Sequence, residues 1–163
     1  MGTTDDLKAA FAGESQANRK YTAFAGKADE EGYPHVAKLF RAAAAAETVH
    51  ALNHLNVLGG VNSTEENLKT AIEGETYEFT EMYPEFIDNA KAESNQGAVQ
   101  TFYGAKEVEK LHADLYKKAL DTLGEAKDVD YYVCDVCGNT VENEAPHVCP
   151  ICGAKKEAFF AVE

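Results

Sequence analysis

Apolar residues recur at three- and four-residue intervals through four long stretches of this chain. The spacing predicts helices over about Thr4 to Glu30, Pro34 to Leu58, Thr64 to Ala92 and Asn95 to Leu123. Gly32–Tyr33–Pro34 and Gly59–Gly60 interrupt the pattern where helices should end. Thr4 with Asp5, and Ser63 followed by Thr64, Glu65 and Glu66, supply N-caps and first-turn acids. Pro84 falls inside the third stretch, where it should kink the helix or loosen a turn. Past residue 130 the periodicity gives way to a segment rich in Tyr, Val, Cys, Gly and Pro. The predicted organisation is a helical domain over 1–123, a linker over 124–130 and a small module over 131–163.

At about 100° per residue, each apolar stripe has a glutamate at its centre. Glu14 shares its face with Leu7, Phe11, Tyr21 and Ala25, and Glu47 lies with Val36, Phe40, Ala43 and Leu58. Glu75 lies with Ile72, Phe79, Met82 and Phe86, and Glu109 with Phe102, Ala105, Tyr116 and Leu120. A buried ionised carboxylate is costly unless it is paired or bound to metal, and four on core faces call for a cation. Glu78 is about 60° off its stripe, which leaves a solvated edge and an inward role both open; Glu81, about 120° off, reads as surface.

Two of these glutamates open a Glu-x-x-His tetrad, Glu47 to His50 and Glu109 to His112, set 62 residues apart. The other two follow a glycine in Phe11–Ala12–Gly13–Glu14 and Ile72–Glu73–Gly74–Glu75. One Glu from each of two helices and a Glu-x-x-His from each of the other two is the ligand set of a di-iron or di-manganese site inside a four-helix bundle. The halves read as a duplication. An offset of 62 relates Phe40, Glu47 and His50 to Phe102, Glu109 and His112; an offset of 61 relates Phe11, Gly13 and Glu14 to Ile72, Gly74 and Glu75. His54, one turn past His50, has Tyr116 as its duplicate and reads as a polar residue beside the ligands or within the core. Tyr21 and Tyr83, on or near inward faces, could be core tyrosines or could hydrogen-bond a ligating carboxylate. His35 and His147 read as surface.

Charge and cysteine usage narrow the function classes. With 28 acidic and 15 basic residues the net charge is −13, the wrong sign for a nucleic-acid footprint. No apolar run approaches the roughly 18 residues of a membrane span, and the acidic start at Met1–Gly2–Thr3–Thr4–Asp5–Asp6 lacks the apolar core of a signal peptide. A cytoplasmic location is expected, with the cysteines used for metal. All four lie in two Cys-x-x-Cys-Gly knuckles, Cys134 to Gly138 and Cys149 to Gly153. Such a pair signals one tetrahedral four-sulfur site, for zinc or for iron. A module of 33 residues cannot bury a sufficient core, so metal should supply its folding energy.

The combination resembles rubrerythrin, over nearly the whole chain. The resemblance rests on Phe11–Ala12–Gly13–Glu14–Ser15–Gln16–Ala17, on the two tetrads, on Gly74–Glu75–Thr76–Tyr77–Glu78 with Met82–Tyr83–Pro84, and on the two knuckles. It implies an all-α, ferritin-like four-helix bundle followed by a small rubredoxin-like β/knuckle domain. It further implies two irons on Glu14, Glu47, His50, Glu75, Glu78, Glu109 and His112, with Glu47 and Glu109 bridging, and one iron on Cys134, Cys137, Cys149 and Cys152. His50 and Glu78 would exchange at one iron with redox state, and Tyr21 and Tyr83 would hydrogen-bond the ligands. The implied activity is reduction of hydrogen peroxide, with electrons from reduced pyridine nucleotide arriving through a separate reductase or rubredoxin and relayed by the four-cysteine iron. A ferroxidase or iron-handling role is the alternative; the four-cysteine module favours the peroxidase, because storage needs no dedicated electron donor.

Chain length adds one expectation about assembly. In a ferritin-like bundle helices two and three run in the same direction. The connection would then span roughly 35 Å, by summing about 18 Å from Glu47 to Gly59 and about 16 Å from Thr64 to Glu75 at 1.5 Å per residue. Residues 59–64 reach only about 20 Å fully extended. A homodimer is therefore expected, in which helices one and two of one chain pair with helices three and four of another; the alternative is an all-antiparallel single-chain bundle with a rearranged site.

Overall fold

The computed structural model describes residues 2–125 and 128–163. Two residues of the predicted linker, Ala126 and Lys127, lie outside the described residues. The chain forms two compact units, Met1–Asn62 and Ser63–Glu163.

The first unit is a hairpin of α1 (Thr3–Glu30) and α2 (Pro34–Val57). The N-cap of α1 falls on Gly2 rather than the predicted Thr4, because the Asp5 carboxylate accepts the Gly2 N–H at 3.1 Å and lets the helix begin earlier. Gly32, at φ 79°, closes α1, and Pro34 opens α2 at a position whose N–H would have no partner. Ala37, Ala44 and Ala51 on α2 are buried, as are Asn18 and Ala25 on α1. The seven-residue spacing of both sets makes a narrow seam of small side chains, which lets two long helices approach closely. Larger apolar groups stay outside that seam: Leu39 is 68% exposed and Val57 72%.

The second unit begins with α3 (Thr64–Tyr77), capped by Ser63, whose hydroxyl accepts the Glu66 N–H at 3.3 Å while the Glu66 carboxylate accepts the Ser63 N–H at 3.1 Å. The predicted third helix is not continuous. A π turn over Glu78–Met82 separates α3 from α4 (Tyr83–Ala92), and Pro84 sits in the first turn of α4. Helix α5 (Gln96–Asp121) follows, with the Asn95 side chain accepting the Ala98 N–H at 3.1 Å. A three-stranded antiparallel sheet completes the unit in the order β2 (Thr140–Glu142), β1 (Tyr131–Cys134), β3 (Phe159–Ala161).

The π turn accounts for the change of offset between the repeats. Tyr21, Phe24 and Phe40 form an aromatic trio in the first unit, and Tyr83, Phe86 and Phe102 form its counterpart in the second; the closest pair of rings in each lies 5.6 Å apart. Glu14 and Tyr21 are seven residues apart, whereas Glu75 and Tyr83 are eight. One extra residue in a helix would rotate everything beyond it by about 100°. A π turn absorbs that residue, so both the glutamate and the trio keep their facing. It also removes the clash of Pro84 with the carbonyl four residues before it. Deleting the exposed Thr80 should therefore convert Glu78–Met82 to continuous α-helix and leave the Tyr83–Phe86–Phe102 packing in place, as a crystal structure of the deletion would show; a retained π turn would mean that Pro84 alone sets it.

Candidate metal centres

Each unit gathers one cluster of carboxylate and imidazole donors. In the first, Glu14 on α1 and Glu47 on α2 face His50: the ring Nδ1 is 2.9 Å from Glu47 Oε2 and 3.9 Å from Glu14 Oε1. In the second, Glu75 on α3 and Glu109 on α5 face His112, with Nδ1 2.8 Å from Glu109 Oε2 and 3.8 Å from Glu75 Oε1. Within each trio the ligand atoms all lie within 4.8 Å of one another, a spacing that suits a shared cation. Helical geometry explains the match. A tetrad places Glu and His on adjacent turns of one face, and the antiparallel neighbour brings the Gly-Glu carboxylate to the same height.

The charge balance of the second trio is unfavourable on protein groups alone. Burial, followed by the nearby Glu109 carboxylate, lifts Glu75 to about 7. Burial and Glu109 also raise Glu78, which begins the π turn, and burial followed by Glu109, Glu78 and Glu75 raises the Tyr83 phenol. The hydrogen bond to Glu109 raises His112. Tyr116, the counterpart of His54, stands in the same field: burial and then Glu75 and Glu109 raise it. Glu81 is exposed. Tyr21 contacts the rings of Phe24 and Phe40.

Two positioning residues lie outside what periodicity reveals. Asn18, buried one turn past Glu14, donates its amide to Ala44 O and to Thr48 Oγ1, each at 2.7 Å, and so ties α1 to α2 beside Glu47. Its place on the apolar stripe of α1 was the available signal. The second, Thr140 on β2, meets His112 Nε2 at 2.9 Å; nothing in the sequence joins those two positions.

In the cysteine module the knuckles repeat one geometry. Gly138 N donates to Cys134 O at 2.8 Å and Gly153 N to Cys149 O at 2.9 Å, with both glycines at positive φ. The four thiols are free and converge. The Cys134–Cys152 and Cys137–Cys149 Sγ separations are 3.7 and 3.6 Å. A tetrahedral metal with bonds of about 2.3 Å to sulfur requires edges of about 3.8 Å, so the cage has the right size. Burial raises the Cys137 thiol, whereas at Cys149 burial is outweighed by the backbone N–H groups of Cys152 and Ile151 together with the Cys152 and Cys137 thiols, which bring it down to about 7. The buried Asn139 amide also reaches Cys149 Sγ, at 3.6 Å.

Comparison with known proteins gives concordant results for both parts. A family model described as Rubrerythrin matches residues 5–120, and one described as Rubrerythrin, rubredoxin-like domain matches residues 132–160. Rubrerythrin-2 of Clostridium acetobutylicum is 38% identical over 98% of this chain and 96% of its own length. Nigerythrin of Nitratidesulfovibrio vulgaris is 38% identical over 98% of this chain and 86% of its own length. The solved structure of nigerythrin in a mixed-valent state has 38% identity and a TM-score of 0.61, covering 99% of this chain and 88% of that one.

The raised Glu75 carboxyl sets a pH dependence for the metal-free chain. Its pKa is higher folded than unfolded, so the native state binds more protons and stability falls as pH rises from about 4.5 to about 7. Denaturant unfolding followed by helix circular dichroism should show a weaker metal-free protein at pH 8 than at pH 5. Loading the helical donors with a divalent cation should reverse that order.

Proposed function

This chain belongs to the rubrerythrin family, and from that premise we propose that it is a peroxidase that reduces hydrogen peroxide to water. As a member of the family it carries a di-iron carboxylate site and a rubredoxin-like Fe(Cys)4 site, for which the donor trios and the four-sulfur cage provide the ligands. Glu14, Glu47, His50, Glu75, Glu78, Glu109 and His112 would hold the iron pair.

The observation that carries the reading is the seat of the cysteine module. Thr140 beside its first knuckle contacts the His112 ring, and a side chain at Gly138 would meet Val108, one turn before that histidine. A one-electron centre thus packs against a donor of the helical site. An iron store has no use for that arrangement, whereas a catalyst of two-electron reduction needs it. When bound, the iron pair supplies the two electrons that O–O cleavage requires, and the four-cysteine iron restores them singly.

Reduction of one peroxide to two waters also takes two protons. Tyr83 stays protonated at neutral pH in the field of the carboxylates, and Glu78 holds a proton more readily than a solvated glutamate when it is not ligating. Both are placed to deliver protons beside Glu109. Electrons would come from reduced pyridine nucleotide through a separate reductase or rubredoxin, in the cytoplasm. Among the described residues no helix is long and apolar enough to cross a membrane.

The proposal includes a swapped homodimer, in which α1 and α2 of one chain complete the site with α3 to α5 of its partner. Its support is that each unit carries one matched half of the ligand set and leaves apolar side chains such as Leu39, Leu52, Val57 and Phe86 exposed beside a narrow core. The short connection between α2 and α3, residues 58–63, favours exchange over closure.

Cys149→Ser should spare a single turnover of the pre-reduced protein with peroxide and reduce steady turnover from NADH and reductase to background. Full steady turnover in that variant would show that electrons enter elsewhere. Assembly is tested by complementation. Glu47→Ala and Glu109→Ala chains should each be inactive alone, and their co-expression should restore about a quarter of the activity, since about half the dimers are mixed and each of those has one intact site. Absence of any recovery in confirmed mixed dimers would refute the swap.

A further inference from the structure

The two histidines of the helical site have matching distances to their carboxylates and different surroundings. His50 is 53% exposed, and His112 is 26% exposed. The remaining ring nitrogen of His112, Nε2, is 2.9 Å from Thr140 Oγ1, and that hydroxyl is 3.1 Å from Gly138 O. Thr140 reaches the histidine by strand geometry. It pairs with Val133 in the sheet, and Thr140 and Glu142, two residues apart on β2, point to one side. Both meet α5, Thr140 at His112 and Glu142 in an ion pair with Lys118.

The direction of the hydrogen bonds follows from what each group can do. A carbonyl only accepts, so the single hydroxyl proton of Thr140 goes to Gly138 O. The oxygen then offers a lone pair to the ring beside the Gly138 carbonyl, which also accepts from the ring, and Nε2 must carry a proton. In the neutral ring Nδ1 is therefore the nitrogen with the free lone pair, and Nδ1 is the one that faces Glu109 and Glu75. A cation bound at Nδ1 would leave the Nε2 proton hydrogen-bonded to the Thr140 oxygen.

We propose that Thr140 is a positioning residue that locks His112 as the Nε2-protonated tautomer with Nδ1 toward the carboxylates, and that it couples the cysteine module to this histidine alone. His50 has no counterpart to this contact among its hydrogen bonds and ion pairs in the described residues, which involve Glu47 and Glu14. The two repeats are thereby made unequal: the His112 ring is held on both nitrogens, and the His50 ring is held at Nδ1 by Glu47.

The inference deepens the reading of this site and can be tested without peroxide turnover. Full-length protein labelled with nitrogen-15 at histidine and loaded with zinc as a diamagnetic probe should show His112 with Nε2 protonated and Nδ1 bound, by long-range proton–nitrogen correlation. Thr140→Ser should retain that pattern. Thr140→Val, which keeps shape and removes the hydroxyl, should lose the protected Nε2 proton, divide His112 between two binding modes and weaken zinc at the helical site by about tenfold. The His50 signals should not change. If Thr140→Val does not fold, as judged by circular dichroism, Thr140→Ala against Thr140→Ser makes the same comparison. A wild-type pattern in the hydroxyl-free variants, or zinc on Nε2 in the wild-type chain, would overturn the proposal. A locked His112 in a protein that fails to reduce peroxide would leave this inference standing and remove the catalytic one.

Discussion

Carboxylates directed toward the faces of helices that should be buried are the constraint from which the rest of this protein follows. In each unit two glutamates at the centres of apolar stripes stand beside one imidazole and repel one another, and burial makes the repulsion stronger. Even with solvent still reaching it, Glu75 is lifted to about 7 by burial and by Glu109. A divalent cation would relieve that repulsion within each trio, where His50 in one and His112 in the other stand close to the carboxylates.

Duplication is the economical route to such a site. The two units carry the same aromatic trio and the same Glu–Glu–His geometry. The halves then diverge by small changes with local causes. One added residue becomes a π turn, which places Glu78 at its start and leaves Tyr83 and Phe86 in register. An asparagine in the first half cross-links α1 and α2. A threonine from outside the helices holds one histidine of the two. Each change makes one repeat differ from the other in the surroundings of its donor trio.

The cysteine module shows the same dependence of structure on metal at smaller scale. Its three short strands bury little, and its compactness comes from two knuckles wrapped about four sulfurs. Peptide N–H groups stabilise negative charge on Cys149, so this one thiol already leans toward the thiolate that a metal needs, whereas burial holds Cys137 as a thiol.

Periodicity and spacing, which are local properties of the chain, determined which faces are apolar, where Gly32 and Gly59 end helices, and which glutamates share a turn with a histidine. They also placed the cysteines at the separations a tetrahedral site demands. For these features no knowledge of distant contacts was needed, since residues three, four or seven apart meet by helical geometry alone. The start of α1 departs from the expected Thr4 cap, because the Asp5 carboxylate reaches the Gly2 amide and that hydrogen bond outweighs the preference for threonine as a cap. Pro84 signals the break in the third helix, but its form as a π turn comes from the requirement that both Glu75 and Tyr83 keep their packing. The contacts of Asn18 with Ala44 and of Thr140 with His112 belong wholly to the tertiary structure. They join residues 26 and 28 positions apart on different elements, and no local pattern encodes such a pairing: it exists only once packing has brought the two backbones together.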